Sequence, residues 1–178
     1  MTYVPSVTED QIMTTLVTWI MTALAGQVAQ GWANRVATPT GDFVIVSGLV
    51  KARLSQHERS HVTPVFPATV GSEVTQQTVD YHVQLDCYGQ GASDNAFALS
   101  TAFASDRACD FFTAQLPGLA PLFCEDPRQL PITNGEQQYE DRWTIVAHLQ
   151  CYTSISDAQE SATSVSAGVI NVDAEYSA

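Results

Sequence analysis

Three kinds of residue in this chain are of types that do chemistry. The first is His57-Glu58-Arg59-Ser60-His61, which matches H-E-x-x-H. On a helix that spacing turns both imidazoles to one side, where they bind zinc while the glutamate polarises a water. The second is two pairs of adjacent acids, Glu125-Asp126 and Glu140-Asp141. Convergent carboxylates can divide general-acid and general-base work. The third is the cysteines Cys87, Cys109, Cys124 and Cys151.

The surroundings argue against chemistry in each case. Residues 57–61 follow a strand pattern, carry almost no apolar side chain and meet Pro64 within a turn, so a loop is expected there. No third-ligand motif follows. Neighbours on an extended chain point to opposite sides, which separates the acids of each pair. Arg128 and Arg142 stand close in sequence and suit loop-fixing ion pairs with them. The cysteines lack paired spacing and read as buried free thiols, with Cys87 and Cys151 ending strands on core faces and Cys109 in a helix. There is no Gly-rich phosphate loop, nucleophile elbow or C-x-x-C. The chain is therefore expected to be no enzyme, with no catalytic residue, no metal site and no cofactor.

Composition narrows the class further. The 178 residues suit one domain with a sizeable core, and 45% are hydrophobic. Nineteen acids against seven bases give a net charge of -12, which excludes the basic face of a sequence-reading nucleic-acid binder. It fits a solvated surface or a wall that repels DNA. No apolar run approaches the roughly 20 residues that span a bilayer, and the first residues show no signal-peptide pattern. Within this acidic chain, Lys51, Arg53 and Arg59, with His57 and His61, form the one basic cluster and are the candidate partner-docking residues.

Periodicity supplies the elements. Residues 1–7 read as an extended arm. Thr8-Glu9-Asp10-Gln11 is a capping box that opens a helix reaching Leu24 or Ala25, with Gly26 as its stop. Ile12, Leu16, Trp19, Ile20 and Ala23 form its apolar stripe. Residues 26–42 are mixed. Residues 43–54 read as a buried strand with a bulge at Gly48, and 55–72 as a long loop. Residues 73–88 form a second strand, antiparallel to the first, with Tyr81, Val83, Leu85 and Cys87 on one face. Ser93 or Asp94 caps a second helix running to Gln115, with Leu99, Ala102, Phe103, Cys109 and Phe112 on one face. Pro117-Gly118 stops it. A short strand over 119–123 leads to a loop and then to the best strand, 140–152. Trp143, Ile145, Ala147, Leu149 and Cys151 face inward from it, and Arg142, Thr144, His148, Gln150 and Tyr152 face away. The fold expected is α+β: a mainly antiparallel sheet of about four or five strands with two helices on one face and extended N- and C-terminal arms. Trp19, Leu85, Phe103, Trp143 and Leu149 are its core anchors. The domain spans 1–152, and 153–178, held only by Val165, Val169, Ile170 and Val172, is an arm that orders on a neighbour.

Three stretches also carry a resemblance. The run Asp126-Pro127-Arg128-Gln129-Leu130-Pro131, continued by Asn134-Gly135-Glu136-Gln137-Gln138-Tyr139-Glu140-Asp141-Arg142-Trp143, is similar to the neck or tail terminator proteins of contractile-tailed phages. Leu85-Asp86-Cys87-Tyr88-Gly89 with Ala92-Ser93-Asp94, and Ala108-Cys109-Asp110-Phe111-Phe112, add to the likeness. It covers residues 8–152. It implies a structural virion protein of the neck, assembled in the host cytoplasm as a homo-oligomeric ring, a hexamer. Such a ring ends the tail tube and joins it to the head side of the neck, with DNA passing through the lumen. The implied partners are copies of the chain itself, tail tube and sheath proteins, and the head-completion or adaptor proteins of the neck. The alternatives are another neck or tail ring component, whether head-completion or baseplate adaptor, and more remotely a zinc hydrolase. A sequence-level prediction follows for the H-E-x-x-H segment. His61→Ala leaves the metal content and peptidase activity of the purified protein unchanged, and stoichiometric zinc and hydrolysis lost together in that variant would establish the hydrolase.

Overall fold

A computed structural model describes residues 4–24, 27–31, 39–65, 70–133, 139–160 and 168. The expected apolar anchors of the tail, Val165, Val169, Ile170 and Val172, lie outside the described residues, as does the motif segment 134–138. Helix α1 spans Glu9–Ala23. The capping box is formed: Gln11 N–H donates to Thr8 Oγ1 at 3.4 Å, and Thr8 N–H donates back to Gln11 Oε1 at 2.9 Å. The helix ends when Leu24 turns extended, ahead of the expected stop at Gly26.

The strands are β1 (Gln27–Gln30), β2 (Phe43–Arg53), β3 (Glu58–Val62), β4 (Val70–Tyr88), β5 (Leu119–Cys124), β6 (Arg128–Gln129), β7 (Ile132–Thr133), β8 (Tyr139–Glu140) and β9 (Arg142–Glu160). Seven of them form one sheet in the order β1-β2-β4-β9-β5, with β3 beside β4 and β6 beside β9; β7 and β8 pair separately. The sheet is antiparallel except where β1 runs parallel to β2. The class is α+β as expected, with more strands than four or five and three helices rather than two.

The third helix comes from a break. The expected single helix over 93–115 is two, α2 (Ala92–Phe103) and α3 (Asp106–Gln115). Gly91 stands at the start of α2 and supplies no side-chain cap, so neither Ser93 nor Asp94 caps it. Ser105 is extended and its hydroxyl accepts from Ala108 N–H, capping α3. The break decides the packing. Phe103 and Phe112 are nine residues apart, and at about 100° per residue an unbroken helix would set them on opposite sides. Here both reach Trp19, with ring centroids 5.4 and 5.8 Å away, and they meet each other at 5.8 Å.

The three helices cover one face of the sheet. Its core contains Ile12, Leu16, Trp19 and Ile20 of α1, Leu99, Phe103 and Phe112 of α2 and α3, and Val44, Val46, Tyr81, Val83, Leu85, Cys87, Ile145, Ala147, Leu149 and Cys151 of the strands. These strand positions are the ones the period-2 alternation selects. Trp143 lies on the same face but is only half-buried at the sheet's end. The bulge after Gly48 is present, shifting the register of β2 on β4. Gly48 is needed for a second reason: a Cβ there would collide with the Tyr81 hydroxyl. That hydroxyl donates to Glu9 Oε1 at 2.9 Å, while Lys51 Nζ donates to Glu9 Oε2 at 3.0 Å. Together they hold the start of α1 on the sheet. Gly118 sits at φ 93°, a left-handed turn into β5 that glycine adopts without strain.

Two segments differ from expectation for one reason. The loop expected over 55–72 contains β3, and β9 runs past Tyr152, the expected end of the domain, to Glu160. Beyond the helices the sheet narrows to β3, β4 and β9, and all five residues of β3 are exposed. With both faces open to solvent, these residues show no apolar alternation to betray a strand. Residues 153–160 pair with 70–77 of the same chain, so this part of the expected tail is built into the sheet. Leu149 is fully buried at the centre of the core. Leu149→Ala is therefore expected to cost about 2–5 kcal/mol in urea unfolding, and Trp143→Ala less than that. The reverse order would mean that Trp143, not Leu149, is the more deeply packed of the two.

Candidate functional site

The face of the sheet away from the helices carries polar groups in two networks. The first is centred on Asp86 of β4, which is 5% exposed. Its Oδ1 accepts from Thr144 Oγ1 at 2.6 Å. Its Oδ2 accepts from Arg142 Nη2 at 2.9 Å and Gln84 Nε2 at 2.8 Å. The guanidinium also lies 6.0 Å from the Tyr88 ring, which stacks on Phe43 at 4.7 Å. Breaking such a buried pair leaves an uncompensated charge, so Asp86 and Arg142 lock the start of β9 against the end of β4.

The second network is centred on Asp80. His82 and His148 face each other across the β4–β9 ladder, with ring centroids 4.1 Å apart. His82 Nε2 lies 3.0 Å and His148 Nδ1 2.9 Å from the same oxygen, Asp80 Oδ2. Phe123 of β5 stacks on His148 at 4.2 Å and 14°. Glu125 Oε1 stands 3.8 Å from His148 Nε2. Among the described residues, Asp80, His82 and His148 are the group able to hold a metal ion.

The residues singled out from sequence fall elsewhere. His57 precedes β3, and Glu58–Val62 are in that strand, so H-E-x-x-H has no helix to align its imidazoles. The basic residues nonetheless share a face. Lys51 is opposite Tyr81, Arg53 opposite Val79, Arg59 opposite Thr75 and His61 opposite Glu73, and facing residues of a ladder point the same way. All four, and His57, are exposed. They line the helix-side face where the sheet narrows. Two have partners within the chain: Lys51 takes Glu9, and Arg59 approaches Glu73 at 3.8 Å. Glu125 pairs with Arg128 at 3.3 Å, Asp141 accepts from Gln129, and Arg142 turns to Asp86 rather than to either acid beside it.

The thiols are free, with Cys87 and Cys151 buried. Burial, with a smaller push from Asp86, raises Cys87 to about 12, and burial raises Cys124 to about 12. Both stay protonated at neutral pH and make poor nucleophiles. Glu9 is held below the usual carboxylate range first by its hydrogen bond from Lys51, then by that from Tyr81. Its contribution to stability is thus present above that range and lost as the pH falls through it. Glu9 is more than half exposed, so the contribution is small.

Sequence reasoning missed the Asp80–His82–His148 cluster. It placed His148 on the polar side of its strand, yet nothing local says that His82 stands opposite.

Comparison with known proteins adds the family. No curated protein matches the chain. The phage neck terminator protein family matches residues 10–174, a span that takes in α1 but for its first residue, all of α2 and α3, and every described strand of the sheet. The motif stretch that carried the resemblance forms β6, the start of β9 and the Asp86–Arg142 lock. The chain belongs to the phage neck terminator protein family.

Proposed function

We propose that this protein is a non-catalytic ring subunit of the phage neck. Copies of it close into a hexamer that ends the tail tube and joins it to the head side of the neck, with DNA passing through the lumen. The observation that carries this reading is the family match over residues 10–174. The fold supplies parts that suit it. Ring closure needs two different surfaces on each subunit. The helix layer offers Met21 and Phe97, 60% and 67% exposed, and the opposite sheet face offers Val50, Phe123 and Tyr152. Among the described residues β3 has β4 as its one strand neighbour, leaving an edge that a neighbouring chain can extend. The net charge of -12 suits a lumen that DNA must traverse without sticking.

The narrow half of the sheet is the docking element in this reading. Arg53 and Arg59 present positive charge there, with His57 and His61 beside them, to an acidic surface of the adjoining ring. Lys51, held by Glu9, serves the subunit's own helix instead. Phage lacking this gene should assemble unjoined heads and tails, visible by electron microscopy and restored by the wild-type gene. Normal virions without the protein would overturn the function. Arg53→Glu with Arg59→Glu should leave the melting temperature unchanged yet fail to restore joining, because like charge across an interface costs roughly several kcal/mol. Restoration by that variant would overturn the docking role alone.

A further inference from the structure

We infer that Asp80, His82 and His148 bind one divalent transition-metal ion, of the zinc class, at the centre of the open sheet face. The donor types come first. Two imidazoles and a carboxylate suit borderline cations such as zinc rather than calcium or magnesium, which favour all-oxygen sites. The geometry comes next. One ligand atom from each of the three residues lies within 4.8 Å of the others. Zinc ligands sit about 2.0–2.2 Å from the ion, and so roughly 3.4 Å from each other in a tetrahedral site. The two nitrogens already stand 3.0 and 2.9 Å from Asp80 Oδ2, and all three ligand atoms lie within 4.8 Å of one another, so drawing the two imidazoles together around the carboxylate admits an ion. All three residues sit on central strands with paired backbones, where positions are held firmly.

A second observation points to a missing ligand. Asp80 and His148 are 9% and 7% exposed. Asp80 Oδ1 and His148 Nε2 are nevertheless buried without a hydrogen-bond partner. Such orphans are costly in a native core. A cation satisfies the carboxylate oxygen directly and fixes which imidazole nitrogen carries the proton. It takes the carboxylate through one or both oxygens, and it takes the lone pair of His148 Nδ1. That choice puts the imidazole proton on Nε2, which faces Glu125 Oε1 at 3.8 Å. A carboxylate behind the far nitrogen of a metal-bound histidine is the usual orienting arrangement. Phe123, stacked on the ring, fixes its plane. His82, with 24% of its side chain exposed, leaves a path from solvent. The ion would staple β4 to β9, and it does not depend on the chain's place in the virion.

The test uses chelator-stripped full-length protein and zinc alone, followed by calorimetry and thermal melting. The chain has four histidines, so controls are complete. One zinc per chain is expected, with a raised melting temperature. Asp80→Asn and His82→Gln should each weaken binding at least about tenfold, and Glu125→Gln, acting through His148, by about 10–100-fold. His57→Ala with His61→Ala should bind as wild type. Imidazole NMR signals of unmutated protein guard against misfolded variants: His82 and His148 should shift with zinc while His57 and His61 stay. Absence of saturable binding, binding that survives His82→Gln, or shifts confined to His57 and His61 would overturn the site.

Discussion

The molecule depends on one ladder. β4 and β9 pair over nineteen residues each, from Val70 opposite Glu160 to Tyr88 opposite Arg142, without a register shift. A slip of one residue would exchange the two faces of either strand. Leu85, Val83, Ile145 and Leu149 would leave the helices, and Asp80, Asp86 and His148 would enter an apolar core without partners. Each face therefore holds the other in register. The apolar side gains from burial, while the polar side specifies alignment through Asp86 with Arg142 and Asp80 with His148. Slipping the register would leave these buried polar groups without partners, which is costly.

Everything else is attached to that ladder. β2 and β3 follow each other along one side of β4, with Leu54 N–H bonded to Thr78 O between them. β5 and β6 line the far side of β9. The helices seat on the wide half. Glu9 ties α1 to β2 and β4 through Lys51 and Tyr81, and the Ser105 break lets α2 and α3 wrap a single tryptophan.

Legibility in the sequence tracks burial on one face only. The capping box of α1, the core alternation of β4 and β9 and the Gly48 bulge were all readable, because local chemistry or a one-sided pattern encodes them. β1 and β3 were not: both are short, and β3 is exposed throughout, so nothing apolar repeats. The break at Ser105 was masked by the good helix formers on either side. The impossible alignment of Phe103 with Phe112 on a straight helix was the clue. For the site, the basic residues were found but not their common face, which needs the register of β2 and β3 on β4. The His82–His148 pairing likewise exists only once two segments 66 residues apart are aligned. The family resemblance came from the motif stretch around Arg142, where a lock between strand ends constrains residue type.

The nineteen-residue ladder also has a mechanical meaning. At about 3.3 Å per residue it is roughly 60 Å long. Its hydrogen bonds run perpendicular to the strands. A pull along the strand axis that draws β4 and β9 in opposite directions loads all of those bonds in shear at once. A sideways pull at the narrow end would instead unzip them one after another. The sheet is thus stiff in one direction and peels in another. The narrow half transmits axial tension into the wide half without relying on the helices, and its weak direction is resisted only where a neighbour flanks it.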